Sequence, residues 1–415
     1  MKLQIKRMRF GNCTVLEGRR SRLIVDCGGR NQAADGSLSA RAFAYAAIAP
    51  QVGDLLPTHI LISHLHTDHY RGFLELGRDT PPLFRGNPPM AAAYLPWVIL
   101  GGRAVLAAPF ARLYLTAPPR TLAHQLALGL LELLPVLERE AGSRQMLQAG
   151  DTISLDGQRL EVLWPQVEPA LNALPVCGGE ARADQAEVRM ARAFSALPQG
   201  EGPLEEGQRA LSEALERYLL LLNGGALAEA GRLAALEALA RARAAADRLR
   251  KEVWGDQEQS LHPPYPHALQ PLARFARQQY RLLADTLNAC GLVLQWKDKV
   301  LLPGDVPPAV LEYLAAEGRL HPRYQVVQLP HHGTESHLSP ALPQAERYII
   351  SNGGYRRRPV GRQVLEELAA ACPGCAFLCT DAHTAPAEFC QYARAEGRCH
   401  PACKPITGEQ AILPL

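Results

Sequence analysis

Ser63-His64-Leu65-His66-Thr67-Asp68-His69 follows directly on the apolar run Ile60-Leu61-Ile62. A run of this kind reads as a buried strand, with the polar residues falling in the loop at its end. Imidazole nitrogens and carboxylate oxygens are ligands that zinc, manganese or iron take. Along an extended segment side chains alternate, so His64 and His66 point the same way. A turn just afterwards lets Asp68 and His69 face a second point nearby. One short loop thus has ligands for two neighbouring metal ions. The plain alternative is an exposed polar loop at a strand end.

Outward from this loop, Leu3 to Arg9 and Cys13 to Glu17 read as a hairpin turning at Gly11-Asn12. Arg22 to Val25 is a strand ending in Asp26-Cys27-Gly28-Gly29. The two glycines let the backbone turn sharply past a site, and Asp26 could accept a hydrogen bond from a metal-bound histidine or be a simple turn aspartate. The Ala-rich residues 34–50 read as helix and 78–89 as an irregular connection. Residues 119–141 read as helix. Residues 147–155 and 158–165 form a strand pair around Asp156-Gly157.

From 166 to 282 Val, Ile and Thr nearly vanish, and Ala, Leu, Glu, Arg and Gln dominate. Residues 204–253 hold two long helical patterns separated by Asn223-Gly224-Gly225, a helical hairpin within an all-helical insertion. Such an insertion serves packing, a lid, a homodimer contact or a protein partner. Strand texture returns in 283–415, where three successive strands end in Gly304-Asp305, His331-His332 and Ser351-Asn352. That recurrence points to one site at one sheet edge, assembled from 1–165 and 283–415.

The chain has 415 residues, 47% hydrophobic and 20% charged, ordinary for a globular protein of two or three domains. Its net charge of +3 does not by itself imply nucleic-acid or membrane binding. The stretch 91–111 is broken by Pro96, Gly101, Gly102, Arg103 and Pro109. It falls short of the roughly 20 apolar residues of a membrane span and reads as a buried or cleft-lining helix. The start alternates like a strand rather than a signal peptide, and ten cysteines then read as reduced thiols of a cytoplasmic protein.

The pieces Asp26-Cys-Gly-Gly, His64-x-His66-x-Asp68-His69, Gly304-Asp305 and His331-His332-Gly333 resemble the metallo-β-lactamase superfamily. Ser351-Asn352-Gly353-Gly354-Tyr355 and Thr380-Asp381 make the chain similar, more narrowly, to the hydrolase domain of ComEC-type DNA-uptake proteins. The resemblance implies an α+β fold, a four-layer αββα sandwich with metals at the strand ends. Carried over, it makes His64 and His66 ligands of one ion, Asp68 and His69 of a second, Asp305 a bridge and His331 the last ligand of the second ion. His331 is preferred because related His-x-Gly-Thr motifs use their first position, which leaves His332 a catalytic role, either supporting a ligand from behind or acting on the substrate side. The third histidine of the first ion has no clear counterpart. His124, His262 and His267 are the candidates, and Trp164 stands where a strand could have placed a ligand.

Two divalent ions, Zn²⁺ or Mn²⁺, would activate water for hydrolysis, with Asp68 orienting it. Asn352 and the run Arg356-Arg357-Arg358 would meet the substrate. Guanidinium forks suit phosphate, so Arg356 and Arg358 together with the ComEC-like motifs favour a phosphodiester, a nuclease reading. The alternatives are hydrolysis of a small ester, lactone or thioester, or a weakly active partner-binding component of a bacterial defence or DNA-processing system. At the C-terminal end Cys372, Cys375, Cys399 and Cys403 are spaced for one structural Zn²⁺; a disulfide or unlinked thiols are the other readings.

Overall fold

The structure is a computed structural model describing residues 1–8, 11–29, 56–75, 90–100, 103–104, 106–166, 203–222, 229–255, 269–352, 359–380, 390–406 and 410–415. The expected helix at 34–50, the connection at 78–89, His262, His267, Arg356 and Arg358 lie outside these residues. The chain forms two units. One comprises Met1–Pro96, Val136–Gln166 and Asn288–Leu415, and the other Trp97–Pro135 and Val167–Leu287.

The first unit contains two sheets. Strands β1 (Lys2–Lys6), β2 (Thr14–Glu17), β3 (Arg22–Val25), β4 (Thr58–Leu61), β5 (Met90–Pro96), β8 (Ala141–Leu147) and β17 (Gln410–Pro414) make one, in the order β17-β1-β2-β3-β4-β5-β8. Strands β9 (Thr152–Leu155), β10 (Gln158–Trp164), β11 (Val293–Trp296), β12 (Val300–Leu302), β13 (Arg323–Gln328), β14 (Gln344–Ile350), β15 (Ala376–Cys379) and β16 (Cys403–Pro405) make the other, in the order β16-β15-β14-β13-β12-β11-β10-β9. Both sheets begin with antiparallel hairpins and continue as parallel strands, from β3 to β8 and from β12 to β16.

Parallel neighbours require crossovers, and helices supply them. Among these helices are α1 (Thr67–Glu75) after β4, α7 (Pro308–Ala316) after β12, α8 (Arg362–Ala371) after β14 and α9 (Gln391–Glu396) after β15. Leu16, Leu23, Val25 and Leu61 of one sheet share a core with Leu160, Leu294, Val326, Ile349 and Leu378 of the other. Each such side chain contributes about 1.5–3 kcal/mol by leaving water. Alternation sends Tyr348, Ile350 and Phe377 to the opposite face, yet they are buried too, as are Val364, Leu365 and Leu368 of α8. Helix-covered sheets packed on each other give the α+β sandwich expected of the chain.

Register places the strand ends together. Gln328 lies level with Ile349, and Ile350 with Cys379. The residues following β13, β14 and β15 therefore emerge at one edge.

Among the described residues, the second unit is helical apart from the short pair β6 (Ile99–Leu100) and β7 (Arg103–Ala104). It contains α2 (Ala107–Thr116), most of α3 (Leu122–Glu140), α4 (Pro203–Leu221), α5 (Glu229–Trp254) and most of α6 (Gln270–Ala289). Leu211, Leu215, Tyr218 and Leu219 are buried on α4 at helical spacing. The unit reaches beyond the expected insertion at 166–282, because Trp97–Pro135 belongs to it. The reason is packing: α2 lies against α4, Tyr114 donates its hydroxyl to Asp247, and the buried Arg250 donates Nη1 to Ala117 O at 3.1 Å. The single helix expected across 91–111 is instead the strand β5, the short pair β6 and β7, and the start of α2. Among the described residues no helix is long and apolar enough to cross a membrane.

Candidate metal centre

β3 runs into Asp26, β4 into Ser63–His69, β12 into Asp305, β13 into His331-His332 and β14 into Ser351-Asn352. The loop after β4 bends, and α1 begins at Thr67. Asp68 and His69 thus sit in the first helical turn, where a carboxylate is favoured.

Asp26 organises the loop. Its backbone is left-handed, with φ 60°, a conformation uncommon outside glycine. Its Oδ1 accepts Ser63 N at 2.7 Å, and its Oδ2 accepts Ser63 Oγ at 2.8 Å and lies 2.7 Å from His69 Nδ1. The loops also interlock through backbone. Cys27 N donates to His69 O at 2.7 Å, Gly28 N to Asn12 O at 2.9 Å, and Gly72 N to Cys27 O at 2.7 Å. A Cβ on Gly28 would overlap the Asp68 carbonyl group, and one on Gly11 would press on Gly28, Gly29 and Asp68. Only glycine permits this approach.

His332 is oriented in the same manner. Its Nδ1 lies 2.9 Å from Ser351 O; a carbonyl only accepts, so Nδ1 carries the proton. The Nε2 atoms of His69 and His332 then face the centre. Asp305 Oδ2 stands between them, 3.5 Å from each and 3.9 Å from His64 Nε2. His332 Nε2 is also 3.4 Å from Asp68 Oδ2. Donor atoms converge within 4.8 Å in two groups, His64–His69–Asp305 and Asp68–His69–His332.

Burial opposes charge on all of these groups, and their mutual charges set the outcome. The hydrogen bond from His332 and the charges of His69, His332 and His66 hold the Asp68 carboxyl well below the usual carboxylate range. His332, His69 and His331 do the same for Asp305. Against burial, Asp26 and Asp305 push His69 well above its ordinary value, and Asp305 and Asp68 raise His332. Burial, with His69 and His66 as like-charged neighbours, pushes His64 well down. The cluster thus holds protons where a cation would displace them.

The donor set fits a divalent ion. Mixed imidazole and carboxylate ligands suit Zn²⁺ or Mn²⁺. His69 Nε2 and Asp305 Oδ1 are buried and make no hydrogen bond of good geometry, which is costly unless another ligand satisfies them.

Several expected residues fall elsewhere. His332, rather than His331, is the histidine beside Asp68 and Asp305. The cause is backbone: both residues are left-handed, with φ 47° and 62°, and Gly333 continues at φ 79°. This directs the His331 ring away, its Nδ1 lying 2.8 Å from His337 Nε2. His66 joins neither converging group; its Nδ1 faces His64 Nε2 at 3.0 Å. Asn352 is buried two residues beyond the end of β14. Trp164 is no ligand, since its Nε1 donates to Ala289 O at 2.7 Å. His124 sits in the helical unit, and burial beside Arg250 and Arg243 lowers it to a pKa of about 3. Among the described residues, Cys372, Cys375, Cys399 and Cys403 form no converging donor group; Cys372 donates its thiol to Ala345 O at 3.3 Å. Ser63 and His337 escaped the sequence reading. For Ser63 the signal was a small hydroxyl residue next to the first histidine.

Residues 7–138 match the model of the metallo-beta-lactamase superfamily. Over that stretch the chain is similar to the superfamily's domain. The match contains Asp26 and His64–His69, and the geometry adds Asp305 and His332 from beyond it. No curated protein matches the chain. A metal-dependent hydrolase is the general class that the superfamily domain and the donor groups support.

Asp26→Asn tests the orientation of His69. The variant keeps the shape but replaces one accepting oxygen by a donor, so either Ser63 or His69 loses its partner. Metal affinity is expected to fall roughly 10–100-fold with the fold retained, as measured by competition with a chromogenic chelator.

Proposed function

We propose that this protein is a metal-dependent phosphodiesterase, with nucleic acid as its substrate class. The observation that carries hydrolysis is the convergence of the Nε2 atoms of His64, His69 and His332 on Asp305, with Asp68 alongside. Asp68, His69 and His332 would hold one ion, and His64 and Asp305 a second, with His66 beside His64. Asp305 would be the ligand shared between the groups, since its Oδ2 lies 3.5 Å from both His69 Nε2 and His332 Nε2. Divalent ions bound there supply Lewis acidity toward a phosphoryl oxygen and lower the pKa of water.

The chain's own residues arrange the rest. Asp26 and Ser351 O keep the Nδ1 protons of His69 and His332 in place, so each ring presents Nε2 inward. Asp68 is the open member of the set, its side chain 43% exposed. It is therefore the carboxylate positioned to orient the attacking water. The buried walls around Asp305 and His64 exclude other water and strengthen each charge interaction.

The phosphodiester class rests on the ComEC-like motifs and on Arg356 and Arg358, which follow Asn352 in the chain. The test is a substrate panel with added Mn²⁺ or Zn²⁺: single- and double-stranded DNA and RNA and bis(p-nitrophenyl) phosphate, against a lactone, a thioester and a phosphomonoester. Cleavage of the phosphodiesters is expected. Turnover confined to the lactone or thioester would refute the substrate class.

A further inference from the structure

A second concave site lies at the other end of the same parallel strands. Arg323 is the first residue of β13. Arg347 in β14 pairs with Ala376, the first residue of β15, and Lys404 in β16 pairs with Leu378. These three cations line a cleft of about 310 Å³ together with Glu346, Cys372 and Cys375. The residues of the metal centre follow the C-terminal ends of these strands, whereas the cleft gathers around their N-terminal parts.

Charge in the cleft is not balanced. Arg347 Nη1 has Glu346 Oε2 at 3.8 Å, beyond hydrogen-bond range. Among the described residues, no carboxylate comes within salt-bridge distance of Arg323 or Lys404. Cations often guard the outer strand of a sheet against pairing with other chains. That explanation suits Lys404 on the edge strand β16, but β13 and β14 are interior. The buried thiols Cys372 and Cys375 contribute small side chains, and a Cβ on Gly374 would meet nothing within 4 Å, so the space stays open. Burial, with Cys372 as neighbour, pushes the Cys375 thiol up, which leaves it a neutral S–H rather than a competing anion.

We propose that this cleft binds a small phosphate-bearing anion through Arg323, Arg347 and Lys404. Two guanidinium forks offer paired donors to phosphate oxygens, and the lysine adds a compact charge. The volume stands at the lower end of small-molecule sites, which selects a free phosphorylated compound. This inference is independent of the substrate of the metal centre.

The test is calorimetric titration of inorganic pyrophosphate into the chelator-treated full-length chain at low salt. Chelation removes any contribution of bound metal. One site per chain is expected, weakening with added salt. Arg323→Ala with Lys404→Ala should weaken binding at least about tenfold, and the charge-preserving Arg323→Lys with Lys404→Arg should restore most of it. Glu346→Gln should tighten binding by removing the one opposing charge, and His69→Ala in the metal centre should leave it unchanged. Absence of binding, affinity unaffected by the double alanine variant, or loss through His69→Ala would each overturn the proposal.

Discussion

Replacing Asp305 by alanine is expected to lower hydrolysis roughly a thousandfold while the sheets remain folded. Asp305 Oδ2 is the atom closest to being common to the centre, 3.5 Å from both His69 Nε2 and His332 Nε2. Removing it leaves the two donor groups without a shared anion, so two cations would repel each other across the gap. Metal ions contribute several kcal/mol of charge stabilisation in the transition state, and each 1.36 kcal/mol is a factor of ten. The carboxylate emerges beyond β12, so its loss removes no apolar contact from the core. Initial rates on bis(p-nitrophenyl) phosphate, with circular dichroism as the control for folding, measure the effect. A variant within tenfold of the parent rate would deny Asp305 its role.

Gly28→Ala is the larger expected disturbance of structure. The atoms an added methyl would meet are the backbone carbonyl of Asp68 and His69 N, which cannot swing aside as a side chain can. The loops holding Asn12, Gly28 and Asp68 would have to separate, breaking the bond from Gly28 N to Asn12 O and the one from Asn12 N to Asp68 O, at 2.9 and 3.3 Å. Overpacking of flexible cores costs about 1–3 kcal/mol, and a clash with fixed backbone is expected to cost about 3 kcal/mol or more. Metal binding falls with it, because Asp68 and His69 ride on the displaced segment. Gly318→Ala is the reference: its φ is +65° with nothing within 4 Å of the new methyl, so only left-handed strain of about 1–2 kcal/mol applies. Urea unfolding of the two variants should rank Gly28→Ala well below Gly318→Ala. Equal midpoints would contradict the interlocked loops.

The loop at 63–69 was legible because its information is local: an apolar strand, then ligands at short spacing. The strand ends at Asp305 and Ser351 were legible for the same reason. The choice between His331 and His332 was not. It depends on two consecutive left-handed residues, and nothing in a Pro-His-His-Gly string fixes the direction of each ring. His66 does lie beside His64, and the bend after Ile62 brings His69 against His64 as well, their ring centres 3.9 Å apart. β5 was misread because Met90–Pro96 is rich in alanine, a good helix former, and a strand covered on both faces lacks polar alternation. The extent of the helical unit was hidden because Trp97–Pro135 joins it through Tyr114 and Arg250, contacts more than a hundred residues apart in the chain. At the C-terminal end, spacing among the cysteines suggested a zinc clamp, but adjacency in sequence does not make thiols converge.

The most direct test of the centre is the number of divalent ions per chain, measured by elemental analysis after purification without chelators, for the parent and for His69→Ala. His69 belongs to both donor groups, and its Nδ1 is held by Asp26, so its substitution weakens the whole centre at one atom. The account predicts two equivalents of Zn²⁺ or Mn²⁺ in the parent and fewer than one in the variant. A parent chain that binds no divalent ion, or a variant that retains both, would contradict it.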